Sequence, residues 1–341
     1  MTKEEIINNI SNELKNGRDY EINYTIGENQ YRVKFIAPKG NIHSPSILLI
    51  PLTKKVNNQI IVEANNLETN ILEKIIEQAA RTATRLANET SLCPAPILIP
   101  LLPSYRKGPY YQQLSAECFE LSKENPDYRI DEQVVGMISN AKNILSTEFG
   151  LKLEDKVFLN GYSSSGVFAQ RFSLLHPEVV ETACIGGSSG SIPLPTDKLD
   201  YPLGIGNYEQ LTGKKFDLES YSKIRFRYYV GELETINKAS DRTDDEGNLA
   251  PMHDMSYFER SVPYEVGKAQ REMLGKDLFK RAEKTVEILK SLGFDIENTV
   301  IKGRTHSNKT NVLGVNELGE QLIKAVYEES LEEKLKNSKS I

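Results

Sequence analysis

Apolar residues follow two different periods along the chain. Near the N-terminus, residues 21–26 and 31–36 alternate between apolar and polar and flank Gly27-Glu28-Asn29, which predicts a β-hairpin. From residue 59 onward, short continuous apolar runs alternate with stretches whose apolar residues recur every three or four positions. Continuous runs are typical of strands buried on both faces, and the wider spacing is typical of helices. The pattern predicts an α/β protein with a mostly parallel doubly wound sheet and an antiparallel N-terminal edge.

The individual elements follow from the same pattern. Strands are predicted at residues 21–26, 31–36, 46–52, 59–64, 96–102, 157–159, 181–185, 224–230 and 298–301. Helices are predicted at residues 3–16, 68–88, 130–148, 268–292 and 318–335, with a further helix after the strand at 157–159. Thr2 and Glu5 have the spacing of a capping box at the first helix. In a doubly wound sheet, sites lie at the carboxyl ends of the strands, so the residues that follow the strands carry the candidate chemistry.

One strand leads into its helix through a run of small residues. The apolar run 157–159 ends at Asn160-Gly161, and helical spacing begins at Gly166 and stops at Pro177. The connection reads GYSSSG, so a serine in it can stand clear of the sheet at the N-terminus of a helix. The stretch resembles the nucleophile elbow of the α/β-hydrolase fold. A second Gly-x-Ser at residues 186–188 lacks the helical pattern, so the first copy is the candidate.

Two serines of this connection compete for the role of nucleophile. Counting from Gly161 selects Ser163 and leaves Ser165 where a glycine is usual. Counting back from the second glycine selects Ser164 and puts Tyr162 two residues before it. The position two residues before the nucleophile is the tighter one, because the elbow closes on it. Ser163 is therefore the predicted nucleophile and Ser164 the alternative.

A serine hydroxyl needs a base, and a histidine oriented by a carboxylate is suited to that role near neutral pH. Of the four histidines, His43 precedes the parallel part of the sheet and His253 lies in a long polar stretch. His176 lies about three turns along the elbow helix, where a cation suits the helix end. His306 follows the last predicted strand and is the predicted base.

The carboxylate is expected after the preceding strand, residues 224–230, because the acid lies between the serine and the histidine in this chain order. Glu234 lies a few residues beyond that strand and is the predicted acid. Glu232, Asp241 and Asp244 are the alternatives.

Acyl transfer also requires two N–H donors for the oxyanion. One is predicted to be the backbone N–H of Ser164, the residue after the nucleophile. The other is expected from the loop after the strand at 59–64, where Asn65 and Asn66 are the candidates.

Five stretches together resemble a group of little-characterised bacterial α/β-hydrolases: QIIVEANN, PAPILIPLLPSYRKGPYYQQL, GYSSSG, YVGELET and KGRTHS. The resemblance covers about residues 46–325. The chain departs from the group at Ser165, where a glycine is usual, and at Glu234, where an aspartate is usual. The resemblance implies hydrolysis of an ester, thioester or amide without a cofactor or metal.

These predictions combine into a serine hydrolase of small acyl compounds, with a carboxylesterase as the first expectation. Ser163 would attack the acyl carbon, His306 would take the proton, and Glu234 would orient the histidine. A serine peptidase with the same triad is the alternative among enzymes. A catalytically silent hydrolase-fold protein that binds a small ligand is the alternative from another class. The sequence leaves open the natural substrate, the preference between ester and amide, and the oligomeric state.

Length, composition and net charge narrow the expected class of protein further. The 341 residues are expected to form a single domain, with cap-like insertions at 188–222 and 236–267. The net charge of -6 argues against a nucleic-acid partner. The sequence contains no run of 18 apolar residues, so no membrane span is expected, and the N-terminal residues lack the apolar core of a signal peptide. We expect a cytoplasmic protein whose cysteines are buried free thiols: Cys93, Cys118 and Cys184.

Overall fold

The structure is a computed structural model that describes residues 2–66, 69–104, 111–232, 261–303 and 306. Several predictions fall outside these ranges. They concern the closing helix at residues 318–335, most of the insertion at 236–267, and four candidate site residues: Glu234, Asp241, Asp244 and His253.

Nine strands form a single sheet in the described part of the chain. They are β1 (Tyr20–Ile26), β2 (Asn29–Ile36), β3 (Ser46–Pro51), β4 (Ile61–Val62), β5 (Ile97–Pro100), β6 (Val157–Tyr162), β7 (Val180–Gly186), β8 (Arg225–Gly231) and β9 (Ile296–Ile301). Their order across the sheet is β1-β2-β3-β5-β4-β6-β7-β8-β9. The pairs β1–β2, β2–β3 and β3–β5 are antiparallel, and every later pair is parallel. The predicted mixed sheet with an antiparallel N-terminal edge is confirmed.

Helices connect the strands and cover both faces of the sheet. Over the described residues they are α1 (Lys3–Lys15), α2 (Leu72–Glu89), α3 (Ile130–Phe149), α4 (Ser164–Leu175), α5 (Tyr208–Thr212), α6 (Leu218–Ser222), α7 (Tyr264–Leu274) and α8 (Leu278–Ser291). The predicted capping box at α1 is confirmed, because Thr2 accepts the backbone N–H of Glu5 and the Glu5 carboxylate accepts that of Thr2. None of these helices is both long and apolar enough to cross a membrane.

The single helix predicted at residues 268–292 is wrong, because two helices, α7 and α8, occupy this region. The chain breaks at Gly275, whose φ of 104° lies outside helical values. Asp277 then caps α8 by accepting the backbone N–H of Lys280 at 2.9 Å. The glycine and the capping aspartate are therefore the physical cause of the break.

The strands alternate their side chains between two buried clusters, one on each face of the sheet. In β3, Leu48 and Ile50 belong to one cluster, while Ile47 and Leu49 belong to the other. The first cluster also contains apolar residues of α3, α4 and α8, and the second contains those of α1 and α2. Helices on both faces explain why the central strands read as continuous apolar runs.

Residues 188–222, predicted as an insertion, pack against the core of the sheet. They contain α5, α6 and a short 3-10 turn at Ser189–Ser191. Tyr201, Tyr208 and Tyr221 from this segment are buried in the same cluster as α3 and α4. The Tyr208 hydroxyl donates to the carbonyl oxygen of Leu175 at the end of α4, at 3.0 Å. The segment therefore supports the helix that follows the predicted nucleophile.

Candidate active site

The turn between β6 and α4 holds Ser163 in a strained conformation. Its φ of 58° and ψ of -117° are rare for a residue with a side chain. The Ser163 N–H donates to the carbonyl oxygen of Gly186 at the end of β7, at 2.9 Å, and so fixes the turn to the neighbouring strand. Strand, strained serine and helix follow one another as the sequence predicts, and the structure gives this geometry to Ser163 and not to Ser164.

The two glycines of the turn are sterically required. A Cβ at Gly161 would lie 2.2 Å from the carbonyl oxygen of Ser165, and one at Gly166 would lie 2.7 Å from that of Gly186. Both contacts are with backbone atoms, which cannot move aside as a flexible side chain can. The position two residues before Ser163 is therefore as tight as the sequence argument assumed, and a tyrosine could not occupy it.

Ser165 occupies the position where a glycine is usual, and it fits because its hydroxyl bonds back to the turn. Its oxygen accepts the N–H of Tyr162 at 2.9 Å and donates to the carbonyl oxygen of the same residue at 3.0 Å. The side chain is fully buried. The hydroxyl thus satisfies polar groups of the turn that would otherwise be buried without partners.

His306 reaches the nucleophile from the turn after β9. The distance between Ser163 Oγ and His306 Nε2 is 2.8 Å, which is a hydrogen bond. The imidazole is half-buried and lies beside the ring of Tyr162, with the ring centroids 5.4 Å apart. The two residues are 143 positions apart in the chain, so the sheet brings them together.

A pair of glycines lies next to this contact. Gly186 ends β7, and a Cβ there would lie 2.1 Å from Cζ of Tyr229. Gly187 has a φ of 63°, and a Cβ there would lie 3.1 Å from Cε1 of His306. They belong to the second Gly-x-Ser of the sequence, which the sequence argument set aside. The signal that identifies them is a double glycine at the end of the strand next to the elbow strand.

The other histidines do not meet Ser163 in the described residues. His43 is exposed before β3. His176 is buried at the end of α4, where Nε2 lies 2.9 Å from a carboxylate oxygen of Asp131 in α3. Burial lowers the pKa of His176, but the hydrogen bonds to Asp131 and Glu178 outweigh it and raise the pKa above its ordinary value. The sequence-based interpretation of His176 as a helix-end cation agrees with this pairing.

Of the candidate acids, only Glu232 is among the described residues. Its carboxylate accepts the N–H of Gly303 at 2.8 Å, and its own N–H donates to the carbonyl oxygen of Ile301 at 2.9 Å. Glu232 therefore fastens the end of β8 to the turn that leads to His306. Glu234, the predicted acid, follows two residues later in the chain.

The predicted oxyanion loop lies next to the elbow, because β4 is inserted between β5 and β6. The side chain of Asn65 is fully buried and bonds to Leu102 twice, accepting its N–H at 2.6 Å and donating to its carbonyl oxygen at 2.9 Å. The backbone N–H of Asn66 donates to Gln78 Oε1 at 3.2 Å. The backbone N–H of Asn66 is therefore already engaged by a side chain of α2.

Ser164 begins α4, where a backbone N–H has no carbonyl acceptor within the helix. Its side chain meets two residues that the sequence argument missed. Gln112 and Gln113 donate from their amides to Ser164 Oγ at 2.9 and 2.8 Å. Both glutamines lie in the connection after β5, where a polar pair in a loop carries no signal in the sequence.

No disulfide joins the three cysteines, all of which lie among the described residues. Cys118 and Cys184 are buried as predicted, whereas Cys93 is only partly buried. Burial raises the pKa of each thiol. Among the described residues, no group of three or more His, Cys, Asp or Glu side chains is arranged to hold a metal ion.

A parallel sheet with an antiparallel edge, a strained serine between a central strand and its helix, and a histidine after the last described strand define the α/β-hydrolase fold. Comparison with solved structures supports this assignment. The poly(aspartic acid) hydrolase-1 of Sphingomonas sp. KT-1 superposes with a TM-score of 0.51 at 13% sequence identity, over 90% of this chain and 97% of that chain.

Two further solved structures align over most of this chain with lower scores. The poly(3-hydroxybutyrate) depolymerase from Bordetella parapertussis gives a TM-score of 0.47 at 14% identity, over 94% of this chain and 92% of its own. The S-formylglutathione hydrolase from Agrobacterium tumefaciens gives 0.44 at 13% identity, over 89% and 96%. No protein-family model matches the chain, and no curated protein matches it in sequence. The likeness therefore concerns the fold alone.

Proposed function

We propose that this protein is a serine hydrolase that cleaves carboxylic esters through an acyl-enzyme on Ser163. The observation that carries the proposal is the 2.8 Å contact between Ser163 Oγ and His306 Nε2 at a serine with a φ of 58°. Backbone strain persists only where the surrounding structure enforces it, and it clusters at active sites. A hydroxyl held in this way against an imidazole nitrogen is positioned to lose its proton.

In the proposed first step, Ser163 Oγ attacks the acyl carbon while His306 Nε2 takes the hydroxyl proton. The carbonyl oxygen of the substrate becomes negative and is stabilised by the N–H of Ser164 and by that of Asn65. The alcohol then leaves with the proton from His306, and Ser163 remains acylated. Water, deprotonated by His306, attacks the acyl carbon and releases the acid, which regenerates the serine.

A carboxylate is required to hold His306 in the productive tautomer and to stabilise its charged form. We propose Glu234 for this role, with Asp241 and Asp244 as alternatives. Support comes from Glu232, because its contact with Gly303 joins the end of β8 to the turn before His306. Glu232 precedes Glu234 by two positions in the chain, and Gly303 precedes His306 by three.

The nucleophile is tested with a fluorophosphonate probe and mass spectrometric mapping of the adduct. We expect the wild-type protein to be labelled on Ser163, Ser163→Ala to remain unlabelled, and Ser164→Ala to be labelled at Ser163. The reverse pattern would move the nucleophile by one residue. Labelling of both variants to the wild-type extent would refute the elbow assignment.

The base is tested by the hydrolysis of a short activated ester. His306→Ala should lower kcat about ten-thousandfold or more with the fold intact, as expected for the loss of a triad member. His43→Ala is the matched control and should hydrolyse the ester at the wild-type rate, because His43 is exposed and precedes β3, which β5 and β4 separate from β6. Retained activity in His306→Ala with loss in His253→Ala would transfer the role to His253.

A further inference from the structure

The hydroxyl of Ser164 is held from two sides. The amides of Gln112 and Gln113 both donate to its oxygen, at 2.9 and 2.8 Å, and all three side chains are buried. A hydroxyl oxygen has two lone pairs, so both are occupied and the side chain is fixed in one orientation. One donor would be enough to give this oxygen a hydrogen-bond partner, and the second donor restricts its orientation.

The turn that carries the two glutamines is itself under strain. Leu114 has a φ of 52°, which is an outlier for a bulky side chain. Of the three non-glycine residues with positive φ in the described chain, two are Ser163 and Leu114, on either side of this contact. The carbonyl oxygen of Leu114 accepts the hydroxyl of Tyr201, which helps to enforce the conformation. Leu114 directly follows the two glutamines whose amides contact Ser164 at the start of α4.

A buried arginine fixes the same turn to the helix. Arg171 Nη1 donates to the carbonyl oxygen of Gln113 at 3.0 Å, and Nη2 donates to Ser261 Oγ at 3.2 Å. Its side chain is fully buried, and its Nε has no hydrogen-bond partner among the described residues. Burial lowers the pKa of the guanidinium to about 10. No carboxylate in the described part of the chain forms an ion pair with this guanidinium, and burying an unpaired cation opposes folding.

We propose that Gln112 and Gln113 are positioning residues for the oxyanion site, that they act through Ser164, and that Arg171 anchors them. The inference rests on the proposed function, because it takes the Ser164 N–H as an oxyanion donor. Such a donor is effective only if it points at the developing charge before the reaction begins, because the energy of reorienting it would otherwise add to the barrier. The backbone nitrogen and Cβ of Ser164 are both bonded to its Cα. Holding the side chain in one orientation therefore also restricts the direction of the backbone N–H.

The test compares variants that remove the amide donors with little change in volume. Gln112→Leu and Gln113→Leu should each lower kcat about tenfold, and the double variant about a hundredfold, because complete loss of an oxyanion donor costs about a hundred- to a thousandfold. KM should change less than about twofold, since the substrate carbonyl carries little charge in the ground state. Affinity for a boronic acid, which forms a tetrahedral adduct on Ser163, should fall in parallel with kcat.

Gln133→Leu is the matched control. Gln133 is equally buried and donates to the carbonyl oxygens of Pro126 and Tyr128 while accepting the N–H of His43, away from the elbow. This variant should lose thermal stability to a similar extent and keep its kcat. A fall in kcat as large as that of Gln113→Leu would mean that destabilisation alone explains the effect, and it would overturn the proposal.

A double-mutant cycle separates an action through Ser164 from an independent one. Ser164→Ala removes the acceptor but keeps the backbone N–H, so Gln113→Leu should have little further effect on kcat in that background. Additive effects would overturn the proposal. Failure of the proposed function has a different signature, because the wild-type protein would then show neither probe labelling nor ester hydrolysis. Wild-type labelling with unchanged kcat in both glutamine variants would refute only the positioning role.

Discussion

At the scale of single residues, the elbow depends on which atoms a side chain would meet. Gly161 has no space for a Cβ, whereas Ser165 has space and uses its hydroxyl to bond Tyr162. Replacement by alanine should therefore have different consequences at the two positions, although both lie two residues from Ser163. The sequence predicted the steric demand at Gly161, but it could not predict the hydrogen bonds of Ser165, which depend on the path of the backbone in the turn.

The first prediction compares alanine at these two positions. Gly161→Ala should abolish probe labelling or prevent folding, because its Cβ would lie 2.2 Å from a backbone oxygen. Ser165→Ala should fold with a lower melting temperature, because two buried hydrogen bonds are lost at about 1 kcal/mol each. Labelling kinetics and thermal melts on both variants provide the measurement. Wild-type labelling of Gly161→Ala would show that the elbow is built in another register.

At the scale of elements, the site is assembled where strand ends meet turns. The sequence could predict most of these elements, because buried strands and their helices differ in apolar period. Two features could not be predicted. The break at Gly275 lies within continuous helical spacing. Gln112 and Gln113 contact Ser164, which is 52 and 51 residues away from them in the chain. Contacts of that kind depend on the tertiary fold and leave no local pattern.

The second prediction concerns the two glutamates after β8. Glu234→Gln should lower kcat about a thousandfold or more with little change in KM, because an orienting carboxylate acts mainly as the transition state forms. Glu232→Gln should stay near the wild-type rate, since an amide oxygen can also accept the N–H of Gly303. Steady-state kinetics on a short ester distinguish the two. A near-wild-type rate for Glu234→Gln would leave Asp241 and Asp244 to be tested.

At the scale of the whole molecule, α3 and α4 are joined on one face of the sheet by a buried charged cluster. Asp131 pairs with Arg129 at 2.8 Å and with His176 at 2.9 Å. Burial raises the pKa of Asp131, but hydrogen bonds and charges of the two cations outweigh it and hold the pKa at about 2. The sequence could identify His176 as a helix-end cation, but its partner lies 45 residues away and depends on helix packing.

The third prediction is the pH dependence of the free energy of unfolding. Because the folded-state pKa of His176 is raised, its contribution is complete below its ordinary value of 6.5 and is lost as the pH rises through the raised pKa. Because the pKa of Asp131 is lowered, its contribution is complete above 3.8 and is lost as the pH falls toward about 2. Urea unfolding of the wild-type protein and His176→Gln should therefore differ more at pH 5 than at pH 9.

His43→Gln is the control for the loss of an imidazole, because this side chain is exposed, and its free energy of unfolding at pH 5 should equal that of the wild-type protein. A difference between the wild-type protein and His176→Gln that stays constant from pH 5 to pH 9 would show that the ionisation of His176 does not contribute to stability.

The nucleophile and the base follow strands that differ in the number of neighbouring strands they pair with. Ser163 follows β6, which is paired on both sides, whereas His306 follows β9, which is paired only with β8 among the described strands. Edge strands open locally at a lower free energy than central ones. Mild heating should therefore inactivate the protein before it unfolds, with ester hydrolysis lost while the far-ultraviolet circular dichroism is unchanged. Cooling should restore the activity, because only the register of one outer strand has to be recovered.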